Sequence, residues 1–386
     1  MAGRMAKDIT VIYDSDRTSF LMYSDSKDVV VRKSFEPFDR FMALLKKEPK
    51  GGYRMERKTM IGLMAILMLA GMVVPAKATQ VTSSSNQSST DSETLLVEMP
   101  YEPLPEENFE FDEESRTITA YTGTAVDVII PRTIGGVPVE NISYNAFECA
   151  RNYVDSDMAT NQKEGDWLPM RCLILPETLK SVADRTFVNC HDLETVICYA
   201  PLENTNGGVF EECKGLKTVI FVNGVRQMDN YLFNFCKNLE TVWCKNQVDW
   251  IGIQTFGVTP MEKLCVNAKD IDMSAFSGME SLKEIHIRGG VEHMSLGTFA
   301  LLPSIETICL EGIDPEVMEA DWANLENSNL TILVPEDTSD EQLEAIGRKF
   351  LSSMIITEGA QVKRGTCSMP EDPMPDIAEI LSAYGI

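Results

Sequence analysis

The side chains of this 386-residue chain that could do chemistry are ten cysteines, three histidines and fifty-nine carboxylates. A thiolate attacks carbon, ligates zinc or pairs into a disulfide. Zinc needs four nitrogen or sulfur ligands brought close together, and the sequence offers no C-x-x-C, while His191, His286 and His293 are scattered. No metal and no cofactor is expected. The acid runs Glu106-Glu107 and Asp112-Glu113-Glu114 read as solvated loops in a chain this acidic. A glycine-rich phosphate loop, an H-E-x-x-H helix and a nucleophile elbow are all missing. The chemistry an enzyme would need is therefore not written here. What is written is a spacing: Cys190, Cys213 and Cys236 stand 23 residues apart.

That spacing belongs to a larger register. Phenylalanines fall at Phe147, Phe187, Phe210, Phe233, Phe256, Phe276 and Phe299, and from Phe187 the steps are 23, 23, 23, 20 and 23 residues. Six residues after the Phe comes Leu193, Leu216, Leu239, Leu282 or Ile305. At nine and eleven come pairs such as Val196 and Cys198, Val219 and Phe221, Val242 and Cys244, whose period of two marks a short strand. A second apolar pair precedes each Phe, for example Val225 and Met228 or Val248 and Ile251. A fixed period with fixed anchors is the signature of a stacked solenoid. About six inward apolar side chains per unit give on the order of 10 kcal/mol gross, which chain entropy largely offsets, so single units cannot fold alone.

The stretches "VPVENISYNAFECA", "LILPETLKSVADRTFVNCHDLETVIC" and "VIFVNGVRQMDNYLFNFCKNLETVWC" resemble the BspA-type (Treponema pallidum-type) leucine-rich repeat. Ala146-Phe147, Ala275-Phe276 and the Phe-x-x-Cys-x-x-Leu runs carry the likeness, as does the lead-in "FDEESRTITAYTGTAVDVIIPRTIGGVPV". The resemblance spans residues 107–335. It implies a repeat solenoid of about seven to eight repeats, with short parallel strands and an irregular or short-helical convex side. It also implies adhesion, to host matrix proteins or to other cells. The sequence departs from the family pattern at the Gly of the Ile-Gly pair, in an insertion after Phe147, and in a unit three residues short before Phe276.

The flanks complete the organisation. The run "MIGLMAILMLAGMVVPA" follows Arg54, Arg57 and Lys58 and ends in Ala76-Lys77-Ala78, the pattern of a secretory signal peptide over residues 55–78. Residues 1–54 then read as an over-extended start; the alternative is a signal anchor with a short cytosolic segment. Residues 79–106 are a Ser/Thr/Pro-rich tether. Residues 336–386 are a C-terminal cap and tail: Ser339 caps a helix with Leu343, Ile346, Phe350 and Leu351 on one face, and "DIAEILSAYG" forms a second short helix. The repeats are thus expected outside the cytoplasm, at the cell surface, extracellular or in a periplasm. The net charge of −25 repels phosphate backbones and excludes nucleic acid as a partner.

Within this frame the ladder cysteines Cys190, Cys213, Cys236, Cys198 and Cys244 are expected to be buried thiols that fill space, with disulfides between neighbouring turns as the alternative. The residues left free to act flank the inward strand positions. One outward row is Thr195, Thr218, Thr241 and Thr307. The next is Ile197, Ile220, Trp243, Val266, His286 and Cys309, with Trp250 expected in the following corner. An apolar row around a tryptophan fits a non-enzymatic surface that binds an extracellular protein, and cover by side loops is the structural alternative. A glycan-binding module of an envelope-associated uptake or sensing system is the alternative function, carried by the two tryptophans.

Overall fold

The computed structural model describes residues 10–14, 19–23, 29–31, 96–144, 146–147, 169–319, 330–352, 361–366 and 373–386. Two compact units, Met1–Thr90 and Asp91–Ile386, are described separately. In the first, Thr10–Asp14, Ser19–Tyr23 and Val29–Val31 form an antiparallel sheet. The apolar run 60–76, the tether up to residue 95, Cys149, Cys367 and the side chain of Leu351 lie outside the described residues. Among the described residues no helix is long and apolar enough to cross a membrane.

The second unit opens with a hairpin, Phe109–Asp112 against Thr117–Tyr121. The two-residue turn Gly135-Gly136, both at positive φ, then joins Thr133–Ile134 to Val137–Pro138. A tight hairpin between twisted strands requires this left-handed backbone, which glycine adopts without cost. From there the chain coils as a parallel solenoid. On one wall Asp127–Ile129, Cys172–Leu175, Thr195–Cys198, Thr218–Phe221 and Thr241–Cys244 pair in register. Further along the same wall run Lys263–Val266, Glu284–Ile287, Thr307–Leu310, Thr331–Val334 and Gln361–Arg364. The last strand carries the sheet one rung beyond residue 335.

The expected alternation holds: Val196, Val219, Ile285 and Ile308 point into one continuous core with the Phe column. The side expected to be irregular also carries strands. Leu202–Asn204, Val225–Met228, Val248–Ile251, Ala268–Ile271, His293–Ser295 and Met318–Glu319 form a six-stranded parallel second wall. Helical geometry is confined to single turns such as the 3-10 turn Leu296–Phe299.

At the corner the phenylalanine rings stack, with centroids 5.6 Å apart for Phe187–Phe210 and 6.2 Å for Phe210–Phe233. Tyr121 opens the column against Phe147 and Phe350 closes it against Phe299. The cysteine three residues on has a specific task. The Cys213 thiol donates to the Phe187 carbonyl at 3.0 Å, and that of Cys236 to the Phe210 carbonyl at 3.1 Å. A small apolar side chain with one weak donor fits a site that is apolar apart from one buried carbonyl.

The short unit before Phe276 leaves a mark. On the first wall no ladder joins Thr241–Cys244 to Lys263–Val266, so the wall is two five-stranded sheets. The second wall stays continuous through the same turns, where Val248–Ile251 pairs with Ala268–Ile271. Losing three residues, between Ile251 and the next strands, removes the slack that elsewhere lets both walls stay in register.

The far end is closed by α1, Asp340–Ser352. The Ser339 hydroxyl accepts from the Gln342 N–H at 3.2 Å while the Gln342 side chain accepts from the Ser339 N–H at 3.3 Å, a reciprocal capping box. Ile346 and Phe350 are buried against the last turns.

Candidate functional site

The outward row on the first wall is the first candidate, and the register places its members. Ile174, Ile197, Ile220 and Trp243 are cross-strand neighbours. Past the break the row continues as Cys265, His286, Cys309 and Leu333. Val266 was expected in this row; it instead pairs with Ile287 and packs in the inner core, because the short unit shifts the strand by one residue and exchanges the faces.

The row is not open to a partner. Ile174, Ile197 and Ile220 are fully buried, in a second apolar cluster with Met99, Tyr199, Ile377 and Leu381. The cover is the chain's own C-terminal segment. Its helix α2, Ile377–Ser382, is capped by Asp376, whose side chain accepts from the Glu379 N–H. Tyr384 Oη lies 2.8 Å from Thr195 Oγ1, and the Arg171 guanidinium sits 5.6 Å from the Tyr384 ring centroid. Tyr101 and Trp243 pack at the edge of the cluster. Beyond the break His286 pairs with Glu311 at 3.1 Å, Cys309 is in a disulfide, and Leu333 is half-buried.

Among the described residues six cysteines carry free thiols: Cys172, Cys198, Cys213, Cys236, Cys244 and Cys265. Burial pushes the Cys172 and Cys198 thiols up to about 12, so they are inert fillers. Cys190 departs from the expectation, since it is disulfide-bonded.

The second wall presents the other tryptophan. Trp250 lies within Val248–Ile251, not in a corner, with Gln227 and Asp270 beside it on the flanking strands and His293 beyond Asp270. The half-buried indole is held from two sides. On one side stands the Asp272 carboxyl. The ring lies over Gly252, where a Cβ would sit 3.0 Å from Trp250 Cη2. Burial raises the carboxyls of Asp272 and Asp270 beside it. The adjoining row is different: Arg226 pairs with Glu203 at 2.8 Å and with Asp249 at 2.7 Å, and Lys269 pairs with Asp249 at 2.6 Å. One row is neutralised by its own cations; the row through Trp250 contains no Lys or Arg.

A profile of the BspA type leucine rich repeat region, in six copies, matches residues 167–269 and 263–356. The solenoid is a BspA-type leucine-rich repeat region. Solved structures of similar shape include the T. pallidum leucine-rich repeat protein, 17% identical over 55% of this chain and 88% of that one, with a TM-score of 0.38. A leucine-rich cell surface protein of Faecalibacterium prausnitzii is 16% identical over 67% and 93%, with a TM-score of 0.34. A leucine-rich repeat protein of Bacteroides ovatus is 15% identical over 65% and 87%, with a TM-score of 0.31. No curated protein matches.

On this BspA-type scaffold, sequence reasoning found the row and both tryptophans but not what covers the row. The signal for the cover was present in the tail: Ile377, Leu381 and Tyr384 fall at i, i+4 and i+7, one apolar helical face in a segment with no core of its own.

Proposed function

We propose that this is a non-enzymatic binding protein of the cell surface or extracellular space, and that it recognises another protein through the second wall around Trp250. The observation that carries the reading is the fixed, half-exposed indole standing among carboxylates that no lysine or arginine on that row neutralises. A pre-positioned aromatic ring binds without a large ordering cost. Carboxylates beside it favour a partner that presents Lys or Arg, which the ring face also attracts. The net charge of −25 draws basic partners from a distance.

The reading moves recognition from the first wall, where Ile197, Ile220 and Val266 are buried, to Trp250 and its neighbours. The flat indole flanked by Gln227 and Asp270 equally suits a sugar face, which keeps glycan capture as the second reading. The test is retention of extracellular proteins by the immobilised full chain beside a glycan array. Protein ligands lost on Trp250→Ala and on Asp270→Asn, with a silent array, are expected. Array signals lost on Trp250→Ala without protein ligands would transfer the site to glycans.

A further inference from the structure

The break in the first wall leaves two strand edges facing each other. Thr241–Cys244 and Lys263–Val266 share no ladder. Strands one ladder step apart, about 4.8 Å, bring all their facing Cα atoms within 8 Å, and this pair does not, so the gap is wider than one step. The inward side chains register the opening. Val219 and Phe221 are buried, whereas Val242 and Cys244, their partners on the rung beside the break, are half-exposed.

The backbone of both edges has groups to satisfy. On the regular rungs the Thr218 N–H donates to the Glu194 carbonyl at 3.1 Å, the Thr241 N–H to the Lys217 carbonyl at 2.9 Å, and the Glu284 N–H to the Glu262 carbonyl at 3.2 Å. The same pattern turns the Glu240 carbonyl toward the break from one edge and the Lys263 N–H from the other. Edges with free donors and acceptors are where an extended peptide adds as a strand.

The charges specify the peptide. At the residue before each strand the wall reads Glu194, Lys217, Glu240, then the break, then Glu262, Lys283 and Glu306. The signs alternate from rung to rung, and Lys217 pairs with Glu194 at 3.0 Å as Lys283 does with Glu262 at 2.9 Å. At the break alone two carboxylates of this row follow one another. Lys263 is turned away from them, to Glu284 at 2.8 Å. One added rung with Lys or Arg at that place would stand between Glu240 and Glu262 and restore the alternation.

We infer that the break is the seat of one extended segment of a partner protein. It enters as a parallel strand, with Lys or Arg between Glu240 and Glu262 and apolar side chains two and four residues later, beside Val242 and Cys244. The pattern is that of the chain's own rung 217–221, "KTVIF". This seat does not depend on the reading of Trp250, which lies on the other wall.

The probe is the synthetic peptide "KTVIF" on a Gly/Ser linker with a fluorophore, titrated with the full chain. Saturable binding by fluorescence anisotropy is expected, weakened about tenfold in the peptide carrying Lys217→Glu. Glu240→Lys in the chain, at an exposed position, should abolish that preference. Bound peptide should slow amide exchange at Lys263 and Cys265 by about tenfold or more. Trp250→Ala should leave the peptide's affinity unchanged. Absence of saturable binding overturns the inference, as does binding that leaves the amides of Lys263–Val266 unprotected or ignores both charge reversals. Affinity lost with Trp250→Ala would move the peptide to the second wall and equally overturn it. Self-association of the free chain that the peptide reverses would give the seat to a second copy and overturn the assignment to a different partner.

Discussion

At the scale of single residues, the corner column carries the stability. Phe233 is fully buried between Phe210 and Phe256, so Phe233→Ala should cost about 3–5 kcal/mol in a denaturant titration. Thiol mapping checks the cysteines: in unfolded, unreduced protein Cys172, Cys198, Cys213, Cys236, Cys244 and Cys265 should react with a thiol reagent, and labelling of Cys190 or Cys309 would contradict their disulfides. Glu211 gives a pH signature. Burial raises its carboxyl above the ordinary value near 4.5, more than the Arg185 guanidinium 3.2 Å away lowers it. Its contribution is therefore fully present below about pH 4.5 and lost as pH rises through the higher folded value. Glu211→Gln should raise the melting temperature at pH 7 and leave it nearly unchanged at pH 4. The Phe and Cys positions were legible because period alone fixes them. Tyr121 and Phe350, which end the column, were not, since each comes from a segment outside the period.

At the scale of elements, the short unit decides the most. By the alternation of the neighbouring rungs, the N–H groups of Lys263 and Cys265 face the break and lack ladder partners. Their amides should exchange at least about a hundredfold faster than those of the paired strand Glu284–Ile287 in a hydrogen-exchange experiment. Protection equal to that strand would mean that the wall is continuous. The cap of α1 was readable from Ser339-x-x-Gln342, and Ser339→Ala should cost about 1 kcal/mol, seen as faster exchange in the first turn. The second wall was hidden because its strands are two to four residues long and several bury only their ends, as in Val248–Ile251, so no alternation shows. The one-residue shift of Val266 was hidden for a related reason: a shortened unit does not say which of its corners lost the residues.

At the scale of the whole molecule, the two walls of one BspA-type solenoid differ. One is closed by the chain's own tail; the other shows a paired charge ladder beside a row of Gln227, Trp250, Asp270 and His293 without Lys or Arg. The fold was legible from the repeat, because stacked units must repeat their anchors. The placement of the proposed binding surface was only half legible, because an outward apolar row looks the same in sequence whether a partner or the chain's own end covers it. The most direct measurement of the functional claim compares full chains carrying Trp250→Ala and Trp243→Ala for retention of extracellular proteins, with folding checked by circular dichroism. The account predicts that Trp250→Ala lowers retention by about tenfold, the size of a modest interfacial contact, while Trp243→Ala leaves it within about twofold. Retention lost with Trp243→Ala and kept with Trp250→Ala would contradict it and return recognition to the first wall.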